Sequence, residues 1–145
     1  NPLTLDIPKP LIKLKNITSS DTNFLFELLK NRDQFENISH KIMPTFKNHE
    51  KFVKSKPYFK WYIIYEDLKK IGSAYITNQN EIGIHFLNIK NYEGFFLESL
   101  EIIIKKNSGK RFLLNISPKN KKIKRIAEKN KFKLIQHTYE LENSN

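Results

Sequence analysis

Between residues 81 and 104, apolar residues follow first a strand-like and then a helix-like pattern. Residues 81–87 form a short apolar run bounded by asparagine-rich turns, which predicts a buried strand. Residues 95–104 place apolar side chains at helical spacing, and Gly94 lies in the loop before them. Such a loop presents backbone N–H groups at the helix N-terminus, where anions bind. We therefore interpret this strand–loop–helix unit as the centre of the fold.

The chain before this unit predicts three strands and two helices. They are an edge strand at 11–17, helices at 18–30 and 45–55, and strands at 60–65 and 71–77. In the second helix, Phe46, Phe52 and Val53 are expected to face inward. The last two strands and residues 81–87 are joined by short turns, which predicts an antiparallel meander.

The chain after it predicts a strand at 111–116, a helix that begins after Asn120 and a closing strand at 132–141. A strand that follows a helix after a strand should lie parallel to the first one. The pattern predicts one α+β (α/β) domain at 11–142, with a mixed, mostly antiparallel, twisted sheet and about four helices. Residues 1–10, with three prolines, predict an extended lead-in.

Composition narrows the classes of function. The chain has no cysteine, which excludes disulfides and thiolate metal sites, and its four histidines show no ligand spacing, so no metal is expected. It contains neither a long apolar run nor a signal-peptide pattern, and we expect a cytoplasmic protein without a membrane partner. The net charge of +11 has two explanations. One is a polyanionic ligand, and the other is a codon bias that enriches lysine without a functional role.

Several short stretches resemble the GNAT (Gcn5-related N-acetyltransferase) superfamily. They are Glu-Ile-Gly-Ile at 81–84, Asn-Ile-Ser-Pro-Lys-Asn at 115–120, the spacing from Asn120 to Phe132, and Asn-His-Glu-Lys-Phe at 48–52. The closest resemblance is to the branch of amino-sugar and ribosomal-protein N-acetyltransferases. The resemblance implies that strand 81–87 is splayed from parallel strand 111–116, that acetyl-CoA is the co-substrate, and that a small amine is the acceptor.

The GNAT pyrophosphate loop has the signature Gln/Arg-x-x-Gly-x-Gly/Ala. On this sequence the positions are occupied by Asn91, Gly94 and Phe96, so the loop is degenerate, and the phenyl ring should either obstruct the phosphates or turn inward. A tyrosine that donates a proton in many members is replaced by Ala127. The cofactor contacts that the resemblance implies are Phe86, Leu87, Asn91, Gly94, Phe95, Asn115 and Asn120.

Candidate catalytic residues lie on the central strand. Glu81 could act as a general base, and the alternative is a turn carboxylate that faces water or pairs with a lysine. His85 is four residues further, on the same face, and could be a second base or a core histidine. Candidate substrate contacts are Arg32, His40 and His49. Arg32 could hold a phosphate or form a surface ion pair.

Three functions remain open from the sequence. The first is acetyl transfer to a small amine, with an amino sugar or nucleotide sugar as the class to test first. The second is a non-catalytic GNAT-like protein that binds a ligand or partner. The third, a basic nucleic-acid-binding module, is disfavoured because the aromatic residues lie in apolar strands rather than among the basic residues. A monomer or a homodimer fits each of them.

Overall fold

Residues 12–32 and 42–144 are described by the computed structural model. Their helices and strands follow the predicted order. The elements are β1 (Ile12–Asn16), a 3₁₀ turn (Ser19–Asp21), α1 (Thr22–Lys30), α2 (Phe46–Lys54), β2 (Lys60–Glu66), β3 (Lys69–Ile76), β4 (Glu81–Phe86), α3 (Tyr92–Lys106), β5 (Leu113–Leu114) and α4 (Lys121–Lys129).

The five strands form one sheet in the order β1-β2-β3-β4-β5. The pairs from β1 to β4 are antiparallel, and β5 lies parallel to β4, which confirms the predicted mixed sheet. The ladder between β4 and β5 contains only the pairs Glu81–Leu113 and Ile82–Leu114. The two strands part after these pairs, and strand pairing therefore covers much less than the predicted 111–116.

The core lies on both faces of the sheet because side chains alternate along each strand. On β2, Tyr62 and Ile64 belong to the main core, which α3 and α4 cover, whereas Ile63 packs with Leu25 of α1 and Val53 of α2. The fold thus has a helical layer on each side of the sheet. This arrangement confirms the α+β class and the four helices.

Helix α2 turns a different face inward from the one predicted. Its buried residues are His49 and Val53, which are four positions apart, whereas Phe46 and Phe52 are 40% and 43% exposed. The two phenylalanines contact Phe26 and Trp61 by their ring edges at the rim of this layer. The prediction was right for Val53 and wrong for the two phenylalanines, because it ranked residues by hydrophobicity rather than by their common helical face.

The predicted closing strand at 132–141 is wrong. Phe132 packs against the core, and its N–H donates to the carbonyl oxygen of Ala127 at 3.0 Å. Residues 133–144 are exposed, and no strand of the described chain pairs with them. Alternation defines which face of a strand is apolar, but it does not supply the neighbouring strand.

Three further predictions concern features outside this sheet. Residues 1–10, predicted as a lead-in, lie outside the described residues. No helix in the described segments is long and apolar enough to cross a membrane. The same segments contain no group of three or more histidines and carboxylates that could hold a metal ion.

Candidate functional site

A cavity of about 410 Å³ lies where β4 and β5 part. One wall consists of Gly83, Ile84 and His85 of β4. The opposite wall consists of the residues that follow β5, from Asn115 to Ser117. The pairing of β4 with β5 ends at Ile82, so the backbone N–H and C=O groups beyond it do not pair across these two strands. An extended ligand between the two walls can lie beside these groups.

Glu81 is held firmly at the head of β4. One carboxylate oxygen accepts a hydrogen bond from the Thr77 hydroxyl at 3.1 Å, and the other accepts one from the Asn115 amide. Thr77 is itself fixed, since its hydroxyl oxygen accepts the N–H of Glu81 at 3.1 Å. No lysine of the described chain forms an ion pair with Glu81. The carboxylate is half-buried and lines the cavity, as a general base would need to do.

His85 lines the same cavity from the same face of β4. Its side chain is 8% exposed, and its ring lies 6.0 Å from that of Tyr75. The structure thus places the two candidate bases at one cavity. His85 is both a core histidine and a cavity residue, so the two alternatives offered by the sequence are compatible.

Two tyrosines that the sequence analysis missed form an aromatic wall. Tyr58 and Tyr75 stack with ring centroids 4.1 Å apart and planes 7° from parallel. Tyr75 is paired with Gly83 in the β3–β4 ladder, and a Cβ atom on Gly83 would lie 2.1 Å from the Tyr75 ring. Gly83 therefore leaves the space that the ring occupies. A glycine inside a strand was the available signal, because it often marks a close approach of another group.

Tyr58 keeps its proton at neutral pH. Burial raises the pKa of its phenol to about 12, the neighbouring Tyr75 adds to the effect, and the positive charge of Arg32 partly offsets it. Its hydroxyl is thus available to the cavity as a neutral group.

Arg32 reaches the cavity from the end of α1. It lies two residues after the helix, and its N–H donates to the Leu29 carbonyl oxygen at 3.3 Å. The side chain is half-buried and lines the cavity with Tyr58. Its Nε is buried and has no hydrogen-bond partner among residues 12–32 and 42–144. No carboxylate in residues 12–32 or 42–144 forms an ion pair with it, so the predicted surface pair is not observed there.

His49 does not line this cavity, and its expected contact with substrate stays a prediction. It is 5% exposed, and its ring lies 5.5 Å from that of Phe26 and 6.5 Å from that of Phe52. Burial lowers the pKa of His49, and the positive charge of Arg32 lowers it further. A neutral histidine packed between helices is the result. His40, the other predicted contact, lies outside the described residues.

The predicted cofactor contacts divide into two groups. Asn115 and Asn120 line the cavity, and Asn120 also caps α4 by accepting the N–H of Ile123 at 3.2 Å. The other five, which do not line this cavity, are Phe86, Leu87, Asn91, Gly94 and Phe95.

Physical reasons account for the residues that lie away from the cavity. Phe86 and Phe95 are 8% and 7% exposed and belong to the main core. The N–H of Leu87 donates toward β3, to the carbonyl oxygen of Ile71 at 2.9 Å. These groups thus have partners within the fold, and their contacts with a cofactor stay a prediction.

At the start of α3, Asn91 and Gly94 form a helix cap. The Asn91 side-chain oxygen accepts the Gly94 N–H at 3.2 Å, and a Cβ atom on Gly94 would lie 2.5 Å from the Asn91 amide. The cap therefore explains the glycine and uses one of the N–H groups that a phosphate would need. Phe96 is turned inward: it is 4% exposed, stacks near Tyr92 and forms part of the cavity wall.

These contacts determine how well each part of the site fits acetyl-CoA. The space between β4 and β5 fits the extended amide-bearing arm of CoA, with Asn115 and Asn120 at its edge. The α3 N-terminus is a weaker fit for the diphosphate because Asn91 already caps it.

No protein-family model matches the sequence, and no curated protein matches it. Solved structures do match the fold. Spermidine N-acetyltransferase from Vibrio cholerae, in complex with CoA and spermine, has a TM-score of 0.67 at 14% identity, over 81% of this chain and 78% of that one. A predicted acetyltransferase from Clostridium acetobutylicum with acetyl-CoA has a TM-score of 0.64 at 16% identity, over 91% and 96%. The chain has the GNAT fold.

A third solved structure is similar to the chain in fold. A domain from Methanocaldococcus jannaschii has a TM-score of 0.65 at 20% identity and covers 82% of this chain and 86% of its own. The resemblance inferred from the short motifs is therefore confirmed at the level of the fold. The GNAT fold of this chain has its cavity at the divergence of β4 and β5.

Proposed function

We propose that the protein is an N-acetyltransferase that uses acetyl-CoA to acetylate a small amine. The observation that carries the proposal is the carboxylate of Glu81, held by two hydrogen bonds at a cavity between two parting strands. The fold supports it, since acetyltransferases are among the structures it resembles, one with CoA and spermine and one with acetyl-CoA.

Acetyl-CoA supplies an activated acetyl thioester when it is bound. Glu81 would take the proton that the amine loses, either directly or through a water molecule, when the amine displaces CoA as a thiolate. Thr77 and Asn115 keep the carboxylate in one orientation. His85 is the second candidate base in the same cavity. Most of the remaining rate gain comes from holding the amine against the thioester.

The acceptor is a small amine that enters beside Tyr58 and Tyr75. Amino sugars are the class to which the sequence motifs point. Spermine, which is in the complex with the Vibrio cholerae enzyme, is a second candidate acceptor. A panel of amino sugars and polyamines, each incubated with acetyl-CoA, separates these classes.

The test combines binding and transfer. Calorimetry measures acetyl-CoA binding, and a thiol reagent measures released CoA without background because the chain has no cysteine. Glu81→Gln should bind acetyl-CoA like the wild type but lower kcat about 100-fold, since a lost general base typically costs that much. Glu128→Gln, an exposed carboxylate on α4, is the matched control and should leave kcat unchanged.

Two results would contradict the proposal. One is the absence of acetyl-CoA binding by the folded wild-type protein. The other is amine-dependent CoA release that Glu81→Gln leaves unchanged, which would remove Glu81 from the reaction and leave His85 as the candidate base.

A second function is favoured by the start of α3. Asn91 caps the helix and Phe96 occupies part of the cavity wall, so the cavity could hold a ligand smaller than acetyl-CoA without any transfer. This alternative predicts that Phe96→Ala gains acetyl-CoA binding that the wild type lacks. Circular dichroism would verify that the variant is folded, because Phe96 belongs to the core.

A further inference from the structure

Two charged side chains of opposite sign line the cavity in the described part of the chain. Glu81 lies beside the divergence of β4 and β5, and Arg32 lies beside Tyr58. The stacked rings of Tyr58 and Tyr75 connect the two regions, since Tyr75 lies across Gly83, two residues from Glu81. The cavity therefore has an acidic region, an aromatic wall and a basic region.

The two charges differ in how they are satisfied. Both oxygens of Glu81 accept hydrogen bonds from neutral side chains. The Nε of Arg32 is buried, and among the described residues it has no acceptor and its guanidinium pairs with no carboxylate. A buried donor without a partner is unfavourable and needs an explanation. A ligand that brings its own acceptor would remove this cost.

The described neighbours of Arg32 do not neutralise it. Arg32 lines the cavity with Tyr58. Its positive charge lowers the pKa values of both His49 and Tyr58, and both are neutral at physiological pH. A planar guanidinium matches the two oxygens of a carboxylate or phosphate, which it can bind by a pair of hydrogen bonds.

We propose that the amine acceptor also carries an anionic group, a carboxylate or a phosphate, and that Arg32 binds this group. The Tyr58–Tyr75 wall packs against the carbon skeleton, and the amine points toward Glu81. The term acceptor rests on the transferase function proposed above, but the anion site does not. A polyamine fits less well, because Glu81 is the only acidic residue among the described lining residues.

The test measures binding by calorimetry with two matched pairs of probes, in the absence of acetyl-CoA. Tyramine and tyrosine differ by a carboxylate, and glucosamine and glucosamine 6-phosphate differ by a phosphate. Spermidine is the polycationic comparison. We expect the anionic member of one pair to bind at least 10-fold more tightly than its partner, and the pair that shows this identifies the kind of anion.

Three variants assign the preference to Arg32. Arg32→Met keeps the apolar stem and should abolish the preference, whereas Arg32→Lys keeps the charge but loses the paired geometry and should retain part of it. Arg111→Met removes an exposed arginine that does not line the cavity, and it should bind like the wild type. Thermal unfolding verifies that each variant is folded.

Weak, absent or equal binding of both anionic probes, or tighter binding of spermidine, would overturn the anion site. So would a preference that survives in Arg32→Met. CoA release is measured separately with the same probes. An anionic preference in binding without any CoA release would refute the transferase and leave the anion site intact. CoA release at the same rate with both members of each pair would refute the anion site and leave the transferase intact.

Discussion

Replacing Gly83 by alanine places a methyl group where the ring of Tyr75 lies. The new Cβ would be 2.1 Å from Tyr75 Cζ and 2.4 Å from its hydroxyl oxygen, which is closer than atoms can approach. Tyr75 must then rotate away, and its stack with Tyr58, at 4.1 Å between centroids, must break. The perturbation thus acts on the aromatic wall and leaves the charged residues of the cavity in place.

Two opposing effects determine the magnitude. Glycine inside a strand is less stable than alanine by about 0.5–1 kcal/mol, so the substitution alone would stabilise the strand. Overpacking costs about 1–3 kcal/mol, and loss of a stacked aromatic pair costs about 0.5–1.5 kcal/mol. We expect Gly83→Ala to lower the free energy of unfolding by about 1–3 kcal/mol.

A double-mutant cycle with Tyr75→Ala isolates the clash. In that background the ring is gone, and Gly83→Ala should be neutral or stabilising by about 0.5 kcal/mol. The coupling energy between the two sites should therefore be about 2 kcal/mol. Urea denaturation of the four proteins, followed by circular dichroism, measures it.

Gly109→Ala is the control for a glycine substitution without a clash. Gly109 has a φ of +86° and no neighbour within 4 Å of an added Cβ, so alanine there costs about 1–2 kcal/mol through backbone strain alone. That cost should be the same with or without Tyr75. A coupling energy below about 0.5 kcal/mol between Gly83 and Tyr75 would refute the reasoning.

Three other predictions concern charge, ionisation and the chain end. The pKa of Asp21 is lowered from 3.8 because, although burial raises it, hydrogen bonds from Lys70 and Thr18 outweigh burial. The stability this gives is present above pH 3.8 and lost as the pH falls through the lowered pKa. Asp21→Asn should therefore lower the free energy of unfolding by about 2 kcal/mol at pH 7 and by progressively less below pH 4. Urea denaturation at each pH measures this, and a difference that does not change with pH would contradict it. In an absorbance titration one tyrosine should ionise with a pKa of about 12 and be missing in Tyr58→Phe, whereas a pKa of about 10 for every tyrosine would contradict the burial of Tyr58. Deleting residues 133–145 should change the free energy of unfolding by less than about 0.5 kcal/mol, because residues 133–144 are exposed, and a loss above about 2 kcal/mol would show that they pack on the fold.

Local pattern was sufficient for most of the secondary structure. Strands β2, β3 and β4 and helices α3 and α4 were predicted close to their observed bounds, because side-chain period depends on neighbouring residues alone. The position of Glu81 at the head of the central strand also followed from its place in the sequence. The same local pattern left the end of the chain undecided, since an alternating segment at 132–141 gives no information about its partner.

The candidate site depended on contacts between distant segments. One cavity is lined by three residues that are far apart in the sequence, Arg32, Tyr58 and Tyr75. The two tyrosines are placed there by the pairing of Tyr75 with Gly83 and by the stacking of their rings. His49 shows the converse: its segment resembled a substrate site, but its position four residues before Val53 placed it in the core.

The sequence by itself determined the order of the elements, the apolar face of most of them and the fold to which they belong, because these depend on local period and on short motifs. The tertiary structure decided how far β4 and β5 remain paired, which aromatic rings stack and which charges are left without a partner. Those features depend on distances between segments that are remote along the chain, and no local pattern of residues encodes such distances.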